Sequence, residues 1–112
     1  MEEKKQILDQ MVERVNRKLE SDEKYRSKLD GVSRTFLITF DGSDSYNFKL
    51  ENSSVSPVSP GEIDADITVN VSSEVFQKIL TKEIDAFSAY FEKKIQIKAK
   101  LMDKLLLTEL LK

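Results

Sequence analysis

Residues 65–80 read ADITVNVSSEVFQKIL. In the first half, Ala65, Ile67, Val69 and Val71 alternate with Asp66, Thr68 and Asn70. This alternation places the two sets on opposite faces of a strand, one apolar and one wet. At Ser72 the spacing changes, and Val75, Phe76, Ile79 and Leu80 then recur at helical intervals. Ser72 is placed to cap that helix, and Glu74 falls in its first turn, where the helix dipole favours a carboxylate. A half-wet strand that passes its apolar face straight to a helix predicts a sheet covered by helices on one side and open to water on the other.

Working toward the C-terminus, Thr81 to Asp85 breaks the helix, and Asp85 is placed to cap a short second one carrying Ile84, Phe87, Tyr90 and Phe91 on one side. From Lys94 to Leu101 the alternation returns, with Ile95, Ile97, Ala99 and Leu101 expected inward and Lys94, Gln96, Lys98 and Lys100 outward. Met102 to Lys112 reads as a leucine-dense helix whose Leu105, Leu106, Leu107, Leu110 and Leu111 cover more than one stripe.

Toward the N-terminus, Asn52 to Gly61 is rich in serine and carries Pro57 and Pro60, so it is at best an edge strand and a loop. Before it, Phe36, Ile38 and Phe40 alternate with Thr35, Leu37 and Thr39, and Tyr46, Phe48 and Leu50 alternate with Asn47, Lys49 and Glu51. The Asp41-Gly42 pair between these runs signals a hairpin. Ser21 to Gly31 is a polar connection with a helical turn around Tyr25 and Leu29. From Glu2 to Glu20, Ile7, Leu8, Met11, Val12, Val15 and Leu19 form the stripe of an amphipathic helix. Its polar face mixes both signs of charge, whereas membrane-surface helices are rich in Lys and Arg. It is therefore expected to pack on the domain's own sheet.

A chain of 112 residues makes one domain, residues 1–112, large enough to bury a core unaided. Eighteen basic and twenty acidic residues leave a net charge of -2, without the basic surplus that nucleic-acid binding needs. Cysteine and histidine are absent, which removes thiolate chemistry, the commonest general base and the commonest nitrogen ligand for a metal. No signal peptide or membrane-spanning run is visible, so a cytoplasmic protein is expected, with at most transient membrane contact.

No glycine-rich phosphate loop is present, and a triad would need a base. The carboxylate pairs Asp64/Asp66 and Asp41/Asp44 are accounted for as turns or a solvated strand face. The row Lys94, Lys98, Lys100 suits the wet face of an edge strand, where lysine discourages sheet-to-sheet pairing; a position at a pocket mouth, meeting an anionic head group, is the alternative. No catalytic residue, metal ligand or cofactor is expected, and the chain is not expected to be an enzyme. What remains is the excess of large apolar side chains in the last third. Either they fill an ordinary core, or helices and sheet leave an apolar cavity for a ligand. A leucine-rich terminal helix with an exposed flank also suits a lid, a membrane contact or a homodimer.

The stretch 65–80 resembles the corresponding segment of sterol carrier protein type two domains, the nonspecific lipid-transfer domains. Residues 89–98, AYFEKKIQIK, resemble the same family between its middle helices and last strand. The hairpin and the N-terminal helix fall where the family has them. The resemblance implies an α+β fold: a five-stranded mixed sheet with helices on one face and an apolar tunnel between them for acyl chains, acyl-CoA, sterols or phospholipids. It places Phe76, Leu80, Phe87, Tyr90 and Phe91 on the tunnel wall, with Ile38 and Ile97 from the sheet. Met102, Leu105, Leu106 and Leu110 belong to the final helix as its flap. The family usually has glycine where this chain has Lys82, Lys93 and Ala99, and loss of glycine at Ala99 is expected to narrow the cavity. The competing expectation is an interaction module with a filled core that pairs through its last helix.

Overall fold

The computed structural model describes residues 2–111. Helix α1 (Glu2–Ser21) leads through the short α2 (Glu23–Lys28) to the hairpin β1 (Arg34–Phe40) and β2 (Asp44–Glu51). Two brief strands, β3 (Ser54–Val55) and β4 (Ser59–Pro60), precede β5 (Ile67–Val71). Then come α3 (Ser73–Leu80), α4 (Ala86–Phe91), β6 (Ile95–Lys98) and α5 (Leu101–Leu111). The strands form one mixed sheet in the order β3-β2-β1-β5-β6, with β4 also paired to β2. Strand β1 runs antiparallel to β2 and parallel to β5, with Ile38 opposite Tyr46 on one side and Val69 on the other.

Local chemistry explains most of these boundaries. The β1–β2 turn places Asp41 and Gly42 in the left-handed region, at φ 53° and 73°, as an Asp-Gly hairpin requires. Asn52 and Ser53 do the same at φ 55° and 57°, so the serine-rich stretch begins with a second tight hairpin rather than an open loop. Ser72 Oγ accepts the Val75 N–H at 3.1 Å, and an Asp85 carboxylate oxygen accepts the Ser88 N–H at 3.0 Å. Both expected caps are therefore present. Asp66 takes the Thr35 N–H at 2.9 Å and closes the open end of the β1–β5 pair. It serves the sheet rather than any chemistry.

The core lies between the helices and the apolar face of the sheet. Phe36 stacks on Phe48 with ring centres 4.9 Å apart, and Phe40 meets Phe76 edge-on at 5.3 Å. Leu8, Met11, Val15 and Leu19 bring the α1 stripe into the same cluster, as the mixed charge of its other face implied. Asn16 bonds both the N–H and the C=O of Val55, at 2.8 and 3.0 Å, and so occupies backbone groups of the edge strand β3.

Two readings of the last third need correction. Strand β6 ends at Lys98, and Leu101 does not face inward: it opens α5 and is 68% exposed. Helix α4 lays its small residues Ala86 and Ala89 against the interior, while Phe87 and Phe91 point outward. Small side chains let a short helix approach the sheet closely, and that approach turns the large rings to solvent.

Candidate functional site

The residues from α3 onward build a surface unlike the rest of the molecule. Helices α3 and α4 both end in a left-handed residue, Lys82 at φ 71° and Lys93 at φ 62°. At each, the next N–H reaches back to a carbonyl five residues earlier: Glu83 to Lys78 at 2.9 Å, and Lys94 to Ala89 at 2.9 Å. This is the usual glycine-ended helix stop, made here with lysine. Two of the three positions that the resemblance marks as usually glycine therefore keep the glycine conformation with lysine in place. Ala99 is not left-handed.

Helix α5 is apolar on nearly all sides. Leu107, Leu110 and Leu111 are buried, Leu106 is half-buried, and Leu101, Met102 and Leu105 are exposed. Polar contacts at its two ends fix its position. Near the start, buried Asp103 accepts from Arg34 Nε at 2.9 Å, and Lys104 Nζ reaches the Tyr90 hydroxyl at 3.3 Å. At the far end, the Arg14 guanidinium donates to the Leu111 carbonyl at 3.5 Å and to the Leu80 carbonyl at 2.8 Å. One cation thus ties together the carbonyl ends of α3 and α5, where a positive charge is favoured.

Open clefts flank α5. One, of about 380 Å³, lies between α2 and α5; Leu29, Val32, Met102, Leu105 and Leu106 form its apolar walls, with Lys28, Arg34, Asp103 and Glu109 at the polar positions. A smaller cleft of about 150 Å³ is lined by Val15, Tyr25 and Leu110 together with three cations, Arg14, Lys18 and Lys82. Arg14 also borders a neighbouring cleft of about 180 Å³ with Met11, Gln77 and Leu80.

Among the described residues, no carboxylate forms an ion pair with Arg14, Lys18 or Lys82. Lys18 Nζ instead sits 4.4 Å from the centre of the Tyr25 ring. Burial, and then the charges of Arg14 and Lys18, hold the Lys82 ammonium below the usual lysine range, with Asp85 opposing. Burial, and then Glu109, push the Tyr25 phenol up to about 12, with Arg14 acting against them. The small cleft is thus a place where positive charge accumulates over an apolar floor, an arrangement suited to the head of an amphiphile.

The residues singled out from sequence divide three ways. Ile38, Phe76, Ile97 and Leu110 are buried in the core, and Leu80, Tyr90 and Leu106 are half-buried. Phe87, Phe91, Met102 and Leu105 face solvent. The structure brings Met102, Leu105 and Leu106 together on the α2–α5 cleft. It groups Phe87, Tyr90 and Phe91 as a ring cluster, with the Phe91 ring centre 4.7 Å from that of Phe87 and 5.7 Å from that of Tyr90. Sequence reasoning missed Arg14, Lys18, Tyr25 and Lys82. The available signal was the pair Arg14 and Lys18, one turn apart on the flank of the α1 stripe. Among the described residues, no group of three His, Cys, Asp or Glu side chains is arranged to hold a metal ion, and no helix is long and apolar enough to cross a membrane.

A family model described as the SCP-2 sterol transfer family matches residues 12–112. The chain belongs to that family. The fold agrees. A crystal structure of sterol carrier protein 2 superposes with a TM-score of 0.65 at 15% identity, covering 92% of this chain and 88% of that one. The solution structure of a sterol carrier protein 2 from Aedes aegypti, in complex with palmitate, gives 0.62 at 18% identity and covers 92% of each chain. The same architecture recurs inside a stereoselective inverting sec-alkylsulfatase from Pseudomonas sp., with a TM-score of 0.60 at 19% identity over 74% of this chain. There this SCP-2 family chain spans only 13% of the larger enzyme. No curated protein sequence matches the present chain.

Proposed function

We propose that this SCP-2 family member binds and carries a lipid or similar hydrophobic molecule, and performs no chemistry on it. The apolar part of the ligand lies beneath and beside α5, in a tunnel between helices and sheet. Its wall is formed by Phe76, Leu80, Tyr90, Ile97, Leu106 and Leu110 and their neighbours, with α5 as the flap. The observation that carries this reading is the construction of α5: a helix apolar on nearly every face, anchored by polar contacts at its ends. An outward shift of such a helix uncovers mainly the leucines Leu107, Leu110 and Leu111, and burial of an acyl chain against them then offsets the lost contacts at about 25 cal/mol per Å² of apolar area.

We further propose that the polar head is an anion held by Arg14, Lys18 and Lys82. These three cations are not ion-paired to any described carboxylate, and Leu110 and Leu80 border the clefts that Arg14 joins. By contrast, Lys28 and Arg34 at the larger cleft are already engaged, with Glu109 at 3.4 Å and with Asp103.

The test begins with organic extraction of the purified protein and mass spectrometry of the extract, followed by titration with a fluorescent fatty acid. A bound lipid and saturable uptake are expected. Lys18→Gln combined with Lys82→Gln should weaken a fatty acid about tenfold, the scale of a lost charge-assisted contact, while leaving a fatty alcohol of the same length nearly unchanged. An empty extract together with no uptake overturns the reading. An equal loss for acid and alcohol overturns the placement of the head group alone.

A further inference from the structure

Among the described residues, six large apolar side chains are exposed, and five of them stand on two adjacent helices: Phe87 and Phe91 on α4, and Leu101, Met102 and Leu105 on the first turns of α5. Phe91 and Met102 are 66% and 74% exposed. The contacts from Phe87 to Phe91, Phe91 to Tyr90, and Tyr90 to Lys104 link the two helices into one tip. Scattered exposed leucines need no explanation, but a contiguous group rimmed by charge marks a contact surface.

Lysine outnumbers carboxylate around this tip, with Asp85 and Glu92 exposed beside Phe87 and Phe91 and Asp41 sharing a cleft with Lys93 and Lys94. Lys93, Lys94, Lys98 and Lys100 are exposed, and Lys104 lies over the Tyr90 ring. From Glu92 to Lys104 there are only two carboxylates: Asp103 is buried against Arg34, and Glu92 bonds Lys94 at 3.4 Å. This local excess sits in a chain whose net charge is -2.

We infer that the α4–α5 tip docks on the surface of a bilayer containing anionic lipids, with Phe87, Phe91, Leu101 and Met102 entering the acyl boundary and the lysines at head-group level. Charge complementarity selects this occupant. Protein–protein interfaces are depleted in lysine, and two copies meeting tip to tip would bring their lysines together. Segments that rest in a membrane interface combine lysine with aromatic and aliphatic side chains, and anionic lipid attracts such basic clusters. The docking goes beyond the carrier reading and does not require a ligand to be present.

The experiment is co-flotation of the whole chain with vesicles of phosphatidylcholine alone, and of phosphatidylcholine mixed with phosphatidylserine. Binding is expected on the mixed vesicles, weak on the neutral ones, and decreasing as salt is added. Phe87→Glu with Phe91→Glu should lower binding about tenfold or more. Lys93→Gln with Lys100→Gln should lower it several-fold and flatten the salt dependence. All four positions are exposed, so circular dichroism and the melting temperature should be unchanged. Equal binding by wild type and both variants, or no binding to either vesicle, overturns the inference. So does self-association that the glutamate substitutions abolish, since that assigns the tip to a second copy. Fatty-acid uptake from solution is measured in parallel. Docking lost with uptake intact leaves the carrier reading standing, and the reverse pattern leaves the docking standing.

Discussion

Two ends of this small domain use similar side chains in opposite ways. Around β1, β2 and α3, the rings of Phe36, Phe40, Phe48 and Phe76 are buried and pack against one another. Around α4 and α5, Phe87 and Phe91 also pack ring to ring, yet face solvent beside Leu101 and Met102. Burial is what holds the first set. The second set gains little from folding, so folding alone does not explain its presence. The contrast separates the part of the molecule that maintains the fold from the part available to meet something else.

The largest effect that would break this comparison is a truncation at each end. Phe40→Ala or Phe76→Ala should cost about 3–5 kcal/mol, the scale of a ring removed from a packed core. Phe91→Ala should stay within about 0.5 kcal/mol, as surface changes do. Urea denaturation of the three variants decides it. A Phe91→Ala cost close to that of Phe76→Ala would mean that the exposed cluster is structural after all, and the division into two ends would fail.

A smaller effect, of opposite sign, sharpens the comparison at the working end. Lys82 and Lys93 occupy left-handed helix stops that favour glycine. Lys82→Gly and Lys93→Gly should each raise stability by about 0.5–1 kcal/mol despite the greater freedom of glycine in the unfolded chain. Each replacement also removes a charge, one from the cationic cleft and one from the rim of the exposed tip. A more stable protein is therefore expected, with weaker fatty-acid binding in the first case and weaker vesicle binding in the second. Thermal melts, fatty-acid titration and co-flotation measure the two effects separately. If both variants gain stability with binding unchanged, lysine at these stops is left without a functional explanation.

How much of this was legible in the sequence depends on how local the cause was. The strand-to-helix switch at Ser72, the caps at Ser72 and Asp85, the Asp41-Gly42 turn and the stripe of α1 are each decided within a few residues, and each was read correctly. The facing of α4 was not. Both its small and its large residues are apolar, and which set faces the sheet is settled by how closely the helix approaches β6. The second hairpin at Asn52 and Ser53 was hidden because the serine- and proline-rich composition pointed to a loop. The cationic cleft was least visible. Arg14 and Lys18 lie more than sixty residues before Lys82 in the chain, and only the finished packing of α1 beside the end of α3 brings them together.

The smallest expected effect tests the fold-holding end through its surface. Lys4 on α1 reaches Asp44 at 2.5 Å and Asp41 at 3.1 Å on the hairpin tip. Asp41 also accepts from the Ser73 hydroxyl at 2.9 Å and from its N–H at 3.3 Å, so three elements meet at one carboxylate. The bond from Lys4 is the main reason that both carboxyls lie below the usual aspartate range, with Ser73 adding to it at Asp41. A carboxyl whose pKa is lower in the folded state than in the unfolded one binds its proton less readily when folded. Its contribution to stability is therefore complete above the unfolded aspartate value of about 3.9 and is lost as the pH falls through the lower folded value. Wild type should lose stability on acidification below that point, and Lys4→Met should lose less, so that the two denaturation curves converge as the carboxyls become protonated. The same substitution should leave fatty-acid uptake unchanged, because Lys4 borders none of the clefts beside α5, and should weaken vesicle docking only slightly, through Asp41, which loses its lysine partner and shares a cleft with Lys93 and Lys94. A change in fatty-acid uptake on replacing Lys4 would show that the two ends are coupled, with α1 transmitting the state of the hairpin tip to Arg14, about 15 Å along the helix.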